Sequence, residues 1–208
     1  MSRVRVKICG ITRLEDALLA ASLGADALGF NLWPGSKRHV DPDVARAITD
    51  RLPPLVTAVG VFVGQPPTEV MALAAQAGVQ VVQLHGDEGW EDVNGYPIPA
   101  LKAIRLAGPE SLRDLHRYRV RGFLLDAPSP GYGGSGITCD WALARQVAAQ
   151  VPVLLAGGLT SENVAEAVRT VRPWAVDVAS GVEAAPGVKD PDRLRRFFEA
   201  VREVDDPS

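Results

Sequence analysis

A closed (β/α)8 barrel, folded as a single domain over residues 1–208, is the architecture this chain predicts, and three observations predict it. Short apolar, β-branched runs recur eight times, each followed by a stretch with helical periodicity. The length allots about 26 residues to each strand–helix unit, compact but within the range of this fold. Small residues crowd the ends of the last two runs, where a closed parallel barrel gathers its loops at one mouth. An open doubly wound sheet shares the alternation, but the eightfold count and the glycine placement favour closure.

The runs fall near residues 4–8, 26–30, 56–63, 79–84, 98–104, 122–126, 152–156 and 174–179. In the first, alternation sets Arg5, Lys7 and Cys9 on one face and Val4, Val6 and Ile8 on the other. The apolar face meets the helices, so Lys7 and Cys9 point into the barrel. Thr12 and Glu15 form a capping-box pattern at the first helix, and Gly24 ends it. The second strand runs into a loop, Asn31 to Val40, that carries the adjacent cations Lys37 and Arg38. Asp41-Pro42 opens the next helix as N-cap and N1 proline, and Gly78 closes the third ahead of its strand. The fourth strand finishes in Gln83-Leu84-His85-Gly86, and the sixth, Gly122 to Asp126, finishes in a carboxylate that shares its inward face with Leu124. Cys139 precedes Asp140-Trp141 at the start of the sixth helix and reads as structural. Asp190-Pro191 opens the last helix, and the acidic 203–208 segment is expected to fray.

With 47% hydrophobic and 23% charged residues, the chain is long enough to bury a sizeable core. A net charge of -3 gives no basic field for nucleic acid, so any anionic ligand must meet local cations or amides. A small molecule is the expected partner. Two cysteines without metal-ligand spacing, no leader and no membrane-length apolar run point to a cytoplasmic protein with free thiols. It is expected to work as a monomer or homodimer.

A thiol and a carboxyl at two strand ends of one mouth could face one substrate, and this sets Cys9 and Asp126 as the catalytic candidates. Alone, a strand cysteine is usually core filler, and an inward aspartate usually answers a buried lysine. Asp177, inside the eighth strand, competes for Lys7, and the Lys7 ammonium is predicted to pair mainly with it. Arg38 carries a guanidinium fork suited to a planar carboxylate, whereas Lys37 reads as a solvated charge. His85 stands at the mouth as a substrate-binding or loop-capping residue; three scattered histidines make a metal site weak. After the seventh strand comes Ala156-Gly157-Gly158-Leu159, and after the eighth Ser180-Gly181-Val182-Glu183. Either loop alone could serve only to turn the chain, but their joint position predicts a phosphate grip made by Gly157, Gly158, Ser180 and Gly181.

These residues resemble the phosphoribosylanthranilate isomerase family along nearly the whole chain. The resemblance rests on Lys7 to Thr12, Gln83 to Gly86, Leu125-Asp126, Gly133 to Gly136, Leu155 to Leu159, Ser180 to Glu183 and Pro186 to Asp190, in the family's order. It implies an Amadori rearrangement of N-(5-phosphoribosyl)anthranilate in tryptophan biosynthesis, without metal or organic cofactor. Cys9 matches the general base, Asp126 the general acid, Arg38 the residue facing the anthranilate carboxylate, and the glycine loops the phosphate grip. Lys37, Ser135 and Cys139 stand where proline, threonine and phenylalanine are usual. Another phosphosugar barrel enzyme, or a non-catalytic phosphosugar-binding barrel, would share the grip but has no use for the Cys9 and Asp126 pair.

Overall fold

The computed structural model describes residues 3–128 and 139–205. Eight parallel strands, β1 (Arg5–Cys9), β2 (Ala27–Asn31), β3 (Thr57–Phe62), β4 (Val81–Leu84), β5 (Ala100–Arg105), β6 (Gly122–Asp126), β7 (Val153–Leu155) and β8 (Ala175–Val178), close in chain order. β8 pairs back onto β1, with Lys7 opposite Asp177. The expected eight-strand closure is therefore observed.

Period-2 alternation splits the interior into two cores. One face of the sheet, with Ile8, Leu28, Phe30, Val82 and Leu125, packs against the helices. The barrel lumen holds a small cluster of Ala103, Leu124, Leu154, Ala156 and Ala175, and shares the remaining space with Lys7 and Gln83, both buried. Small apolar side chains in the lumen leave room for the polar groups that serve the mouth.

The helices are α1 (Leu14–Leu23), α2 (Pro42–Thr49), α3 (Pro67–Ala77), α4 (Trp90–Val93), α5 (Trp141–Ala148), α6 (Val164–Val171) and α7 (Pro191–Asp205). Gly24 and Gly78 end α1 and α3 in the left-handed region, and Asp41 caps α2 by accepting from the Asp43 N–H. Asp190 accepts from the Asp192 and Arg193 amides and so caps α7. On α7, Leu194, Phe197, Phe198 and Val201 form one buried stripe; emptying it at Phe197→Ala would cost about 3–5 kcal/mol.

Local signals mislead at four places. Thr12 caps nothing: α1 begins after Arg13, and the Thr12 hydroxyl donates to the Gly187 carbonyl instead. Between β5 and β6 there is no α-helix, only the 3-10 turns Pro109–Leu112 and Leu115–Arg117, which lay Leu112 and Leu115 against the core in a short connection. A two-stranded hairpin, β9 (Glu183–Ala185) and β10 (Val188–Lys189), follows β8, turning at Gly187 with φ 79°. Finally, α7 continues through Asp205, into the segment expected to fray. The Gly133 to Gly136 motif, with Ser135, lies outside the described residues.

Candidate active site

Below the mouth, Lys7 Nζ lies 2.7 Å from Asp177 Oδ1, as the strand phase predicts. Cys9 sits one inward step above Lys7, and β2 passes alongside both. A Cβ on Gly29 would stand 2.8 Å from Cys9 Sγ and 3.1 Å from Lys7 Nζ, so the missing side chain is what admits them. Burial pulls the Lys7 ammonium down, but Asp177 and Cys9 outweigh it and leave the lysine raised.

A second ionic chain meets Cys9 from the other side. Arg38 crosses over Gly10, whose backbone has φ 77°, and grips Glu183 through Nε at 2.8 Å and Nη2 at 2.7 Å. Glu183 also accepts from Lys189 at 2.9 Å, and Lys189 donates to the Cys9 carbonyl at 2.6 Å. Burial pushes Glu183 up, yet the Arg38 and Lys189 bonds overcome it and hold the carboxylate below its ordinary range. Lys189, desolvated more than Glu183 compensates, is lowered. Three cations and two carboxylates thus surround the thiol, a surplus of one positive charge. Burial still pushes Cys9 above its ordinary value, against the downward pull of Lys7 and Lys189.

The Arg38 guanidinium, expected to face a ligand carboxylate, is bonded along its Nε edge to Glu183. A guanidinium has five N–H groups, so Nη1 and the outer Nη2 hydrogen lie beyond those bonds. Glu183 and Lys189, quoted in sequence only inside longer motifs, emerge as the residues that hold Arg38 and the end of β1. Lys37 is exposed, as read.

On the far wall, Asp126 ends β6. Its Oδ1 accepts from the Ala127 N–H at 2.8 Å, and its Oδ2 lies 3.3 Å from His85 Nε2. The other ring nitrogen, Nδ1, meets the Gln83 amide nitrogen at 2.9 Å. Gly157, at φ 82°, lets the loop after β7 pass close by; a Cβ there would stand 2.9 Å from Asp126 Oδ1. Cys139 is buried, and its thiol is pushed up to about 12 by burial and then by Asp126, which suits a structural rather than a reactive role.

Asn163 ties the loop after β7 together, accepting from Thr160 N and donating to the Gly158 carbonyl, both at 2.9 Å. Gly158 is also left-handed, at φ 60°. Gly181 lies so close behind this loop that a Cβ would run into the Leu159 carbonyl oxygen. A cavity at the mouth is lined by Cys9, Arg38, His85, Asp126, Gly157, Gly158 and Ser180, together with Asn31, Trp33, Ser36 and Asp177 among others. Of the predicted site residues only Gly181 is absent from its wall; it abuts the loop from behind. Asn31 went unnoticed although it shares the inward phase of Gly29 on β2.

A thiol, a carboxyl and two small-residue loops at one strand-end cavity define the class: a (β/α)8 barrel equipped for proton transfer on an anionic ligand. A family profile described as N-(5'-phosphoribosyl)anthranilate (PRA) isomerase matches residues 6–200. The N-(5'-phosphoribosyl)anthranilate isomerase of Myxococcus xanthus is 48% identical over 206 residues, covering 97% of each chain. The crystal structure of phosphoribosyl anthranilate isomerase from Thermus thermophilus superposes with TM-score 0.89 at 49% identity, over 97% of this chain and all of that one. A second structure, at TM-score 0.86 and 41% identity over 96% and 99% of the chains, is of phosphoribosyl anthranilate isomerase in complex with reduced 1-(o-carboxyphenylamino)-1-deoxyribulose 5-phosphate. The chain belongs to the N-(5'-phosphoribosyl)anthranilate isomerase family.

Proposed function

We propose that this chain isomerises N-(5'-phosphoribosyl)anthranilate to 1-(2-carboxyphenylamino)-1-deoxyribulose 5-phosphate in tryptophan biosynthesis, with Asp126 as general acid and Cys9 as general base. The observation that carries the reading is that both groups open onto one cavity with Gly157, Gly158 and Ser180.

The chemistry follows from where the charges stand. Asp126 gives its proton to the ribose ring oxygen as the C1–O bond breaks and the anthranilate nitrogen lone pair forms the C1=N bond. The resulting iminium acidifies the proton on C2, and the Cys9 thiolate removes it, sending the C–H pair into an enolamine. Return of a proton to C1 and loss of the enol proton give the ketone. The surplus positive charge around Cys9 favours the thiolate in the transition state, where burial alone opposes it.

The small-residue loops after β7 and β8 hold the phosphate through backbone amides, and Gly181 keeps the two loops in register. Arg38, oriented by Glu183, turns its remaining edge to the anthranilate carboxylate. His85 contacts the sugar side of Asp126. The working form is a monomer or homodimer in the cytoplasm; no described helix is long and apolar enough to cross a membrane.

Conversion of the aminobenzoate substrate by the purified chain tests the reading, followed by Cys9→Ser and Asp126→Asn. Ligand binding without turnover in the unmodified chain would replace it with a binding-only barrel.

A further inference from the structure

Gln83 is an expensive residue to keep where it stands. It is fully buried in the barrel lumen, and its Oε1 has no hydrogen-bond partner. An unpaired buried carbonyl gives up its hydrogen bonds to water with nothing in return, a loss that leucine or methionine would avoid while filling the same space. What the amide does make is one bond, from Nε2 to His85 Nδ1 at 2.9 Å, and the same ring reaches Asp126 through Nε2 at 3.3 Å.

That chain has a definite logic of donors. An amide N–H facing Nδ1 requires Nδ1 to be the acceptor, so the neutral ring carries its proton on Nε2 and donates to the Asp126 carboxylate. A proton held between Asp126 and His85 demands the opposite. Whether it sits on the carboxyl, donated to Nε2, or on the ring as imidazolium, Nδ1 must then carry hydrogen. Gln83 can meet that state only by turning its amide over, which gives the orphan Oε1 its partner. The other ionic groups of this wall are engaged elsewhere: Glu88, after β4, binds Lys102 and the Gly64 amide, and Arg105, in register with Asp126 on β5, lies beside Asp87.

We propose that Gln83 is a positioning residue that selects the His85 tautomer and thereby whether Asp126 is held bare or loaded with the proton it delivers. This rests on Asp126 being the general acid. Gln83 touches no substrate; it acts through the imidazole, as the triad aspartate of serine proteases does, where the wrong histidine tautomer costs about 10⁴ in turnover.

The test reads the tautomer directly, from ring 15N shifts of the purified chain, which has only three histidines. At a pH above the ordinary histidine range, His85 should be the Nε2–H form in the unmodified chain, a mixture in Gln83→Met, and protonated on Nδ1 in Gln83→Glu. Turnover should fall roughly ten- to a hundredfold in Gln83→Met with KM little changed, the loss typical of removing an orienting partner. An Nδ1–H ring in the unmodified chain, an unchanged tautomer in Gln83→Met, or an altered tautomer with undiminished kcat would each overturn the proposal. Full activity of Asp126→Asn would instead remove the acid assignment, while the 15N shifts still report whether Gln83 sets the ring.

Discussion

On the β1 side of the mouth, Cys9 stands over Lys7, with Lys189 and Arg38 behind it and Asp177 and Glu183 dividing their charge. On the β6 side, Asp126 meets a backbone amide and an imidazole that takes its direction from a neutral glutamine. The proposed base is set among cations, and the proposed acid is bonded to groups able to be neutral. Lys7, the cation that a simple reading of buried charge would hand to Asp126, is consumed by Asp177. The lesson is that one small cavity can offer two opposite proton environments when the cations of each wall are matched to carboxylates other than Asp126.

The largest expected effects break the comparison outright. Cys9→Ser and Asp126→Asn should each lower kcat by about 10²–10⁴ with the urea unfolding midpoint little moved; an active Asp126→Asn would make the far wall merely structural. Next, Lys7→Met should cost about 3–5 kcal/mol in urea unfolding by stranding Asp177, and Lys7→Met with Asp177→Leu should recover most of it. If the double variant is no more stable than the single, the pair is not what holds the floor of the site.

Gly29→Ala should cost about 1–3 kcal/mol and slow alkylation of Cys9 by iodoacetamide, since the added methyl presses on sulfur and ammonium together. On the β6 side, Cys139 gives a pH signature. Its thiol ionises at about 12 in the fold against an ordinary 9.0, so the native state binds more protons between those values and stability falls as pH rises through them. By pH ~10.5 the loss is about 2 kcal/mol, and Cys139→Ala should flatten the decline from pH ~9 by that amount in urea titrations. The smallest effect belongs to the exposed counterpart of the Lys7 pair: Arg46→Ala, which breaks a bond to Asp50 one helical turn away, should shift stability by only about 0.3–0.5 kcal/mol.

What the sequence discloses here follows the reach of its signals. Alternation along β1 and β8 placed Lys7 against Asp177 across 170 residues, because strand phase and barrel closure together dictate it. The inward ends Cys9 and Asp126 follow from the same rule. Arg38 and Glu183 are 145 residues apart, and neither lies on a strand whose phase could bring them together, so their bond had no signature. The β9–β10 hairpin escaped notice because Pro186-Gly187 reads as any turn, although it delivers Lys189 beneath Cys9. Thr12 matched a capping box by spacing alone; the neighbouring hairpin offered its hydroxyl a better acceptor. Gln83 was visible as a letter before His85 but not as a partner, since strand phase gives a shared face and not which ring nitrogen the amide meets.

Gly181 seats the loop after β8 directly on the Leu159 carbonyl of the loop after β7, with no space for a side chain between them. Each contributes half of the backbone that faces the mouth at this point. Severing the polypeptide between β7 and β8 should therefore remove the anion capture proposed for these loops, and reassociation of the fragments should restore it, whereas a cut elsewhere in the ring would leave both loops on one fragment.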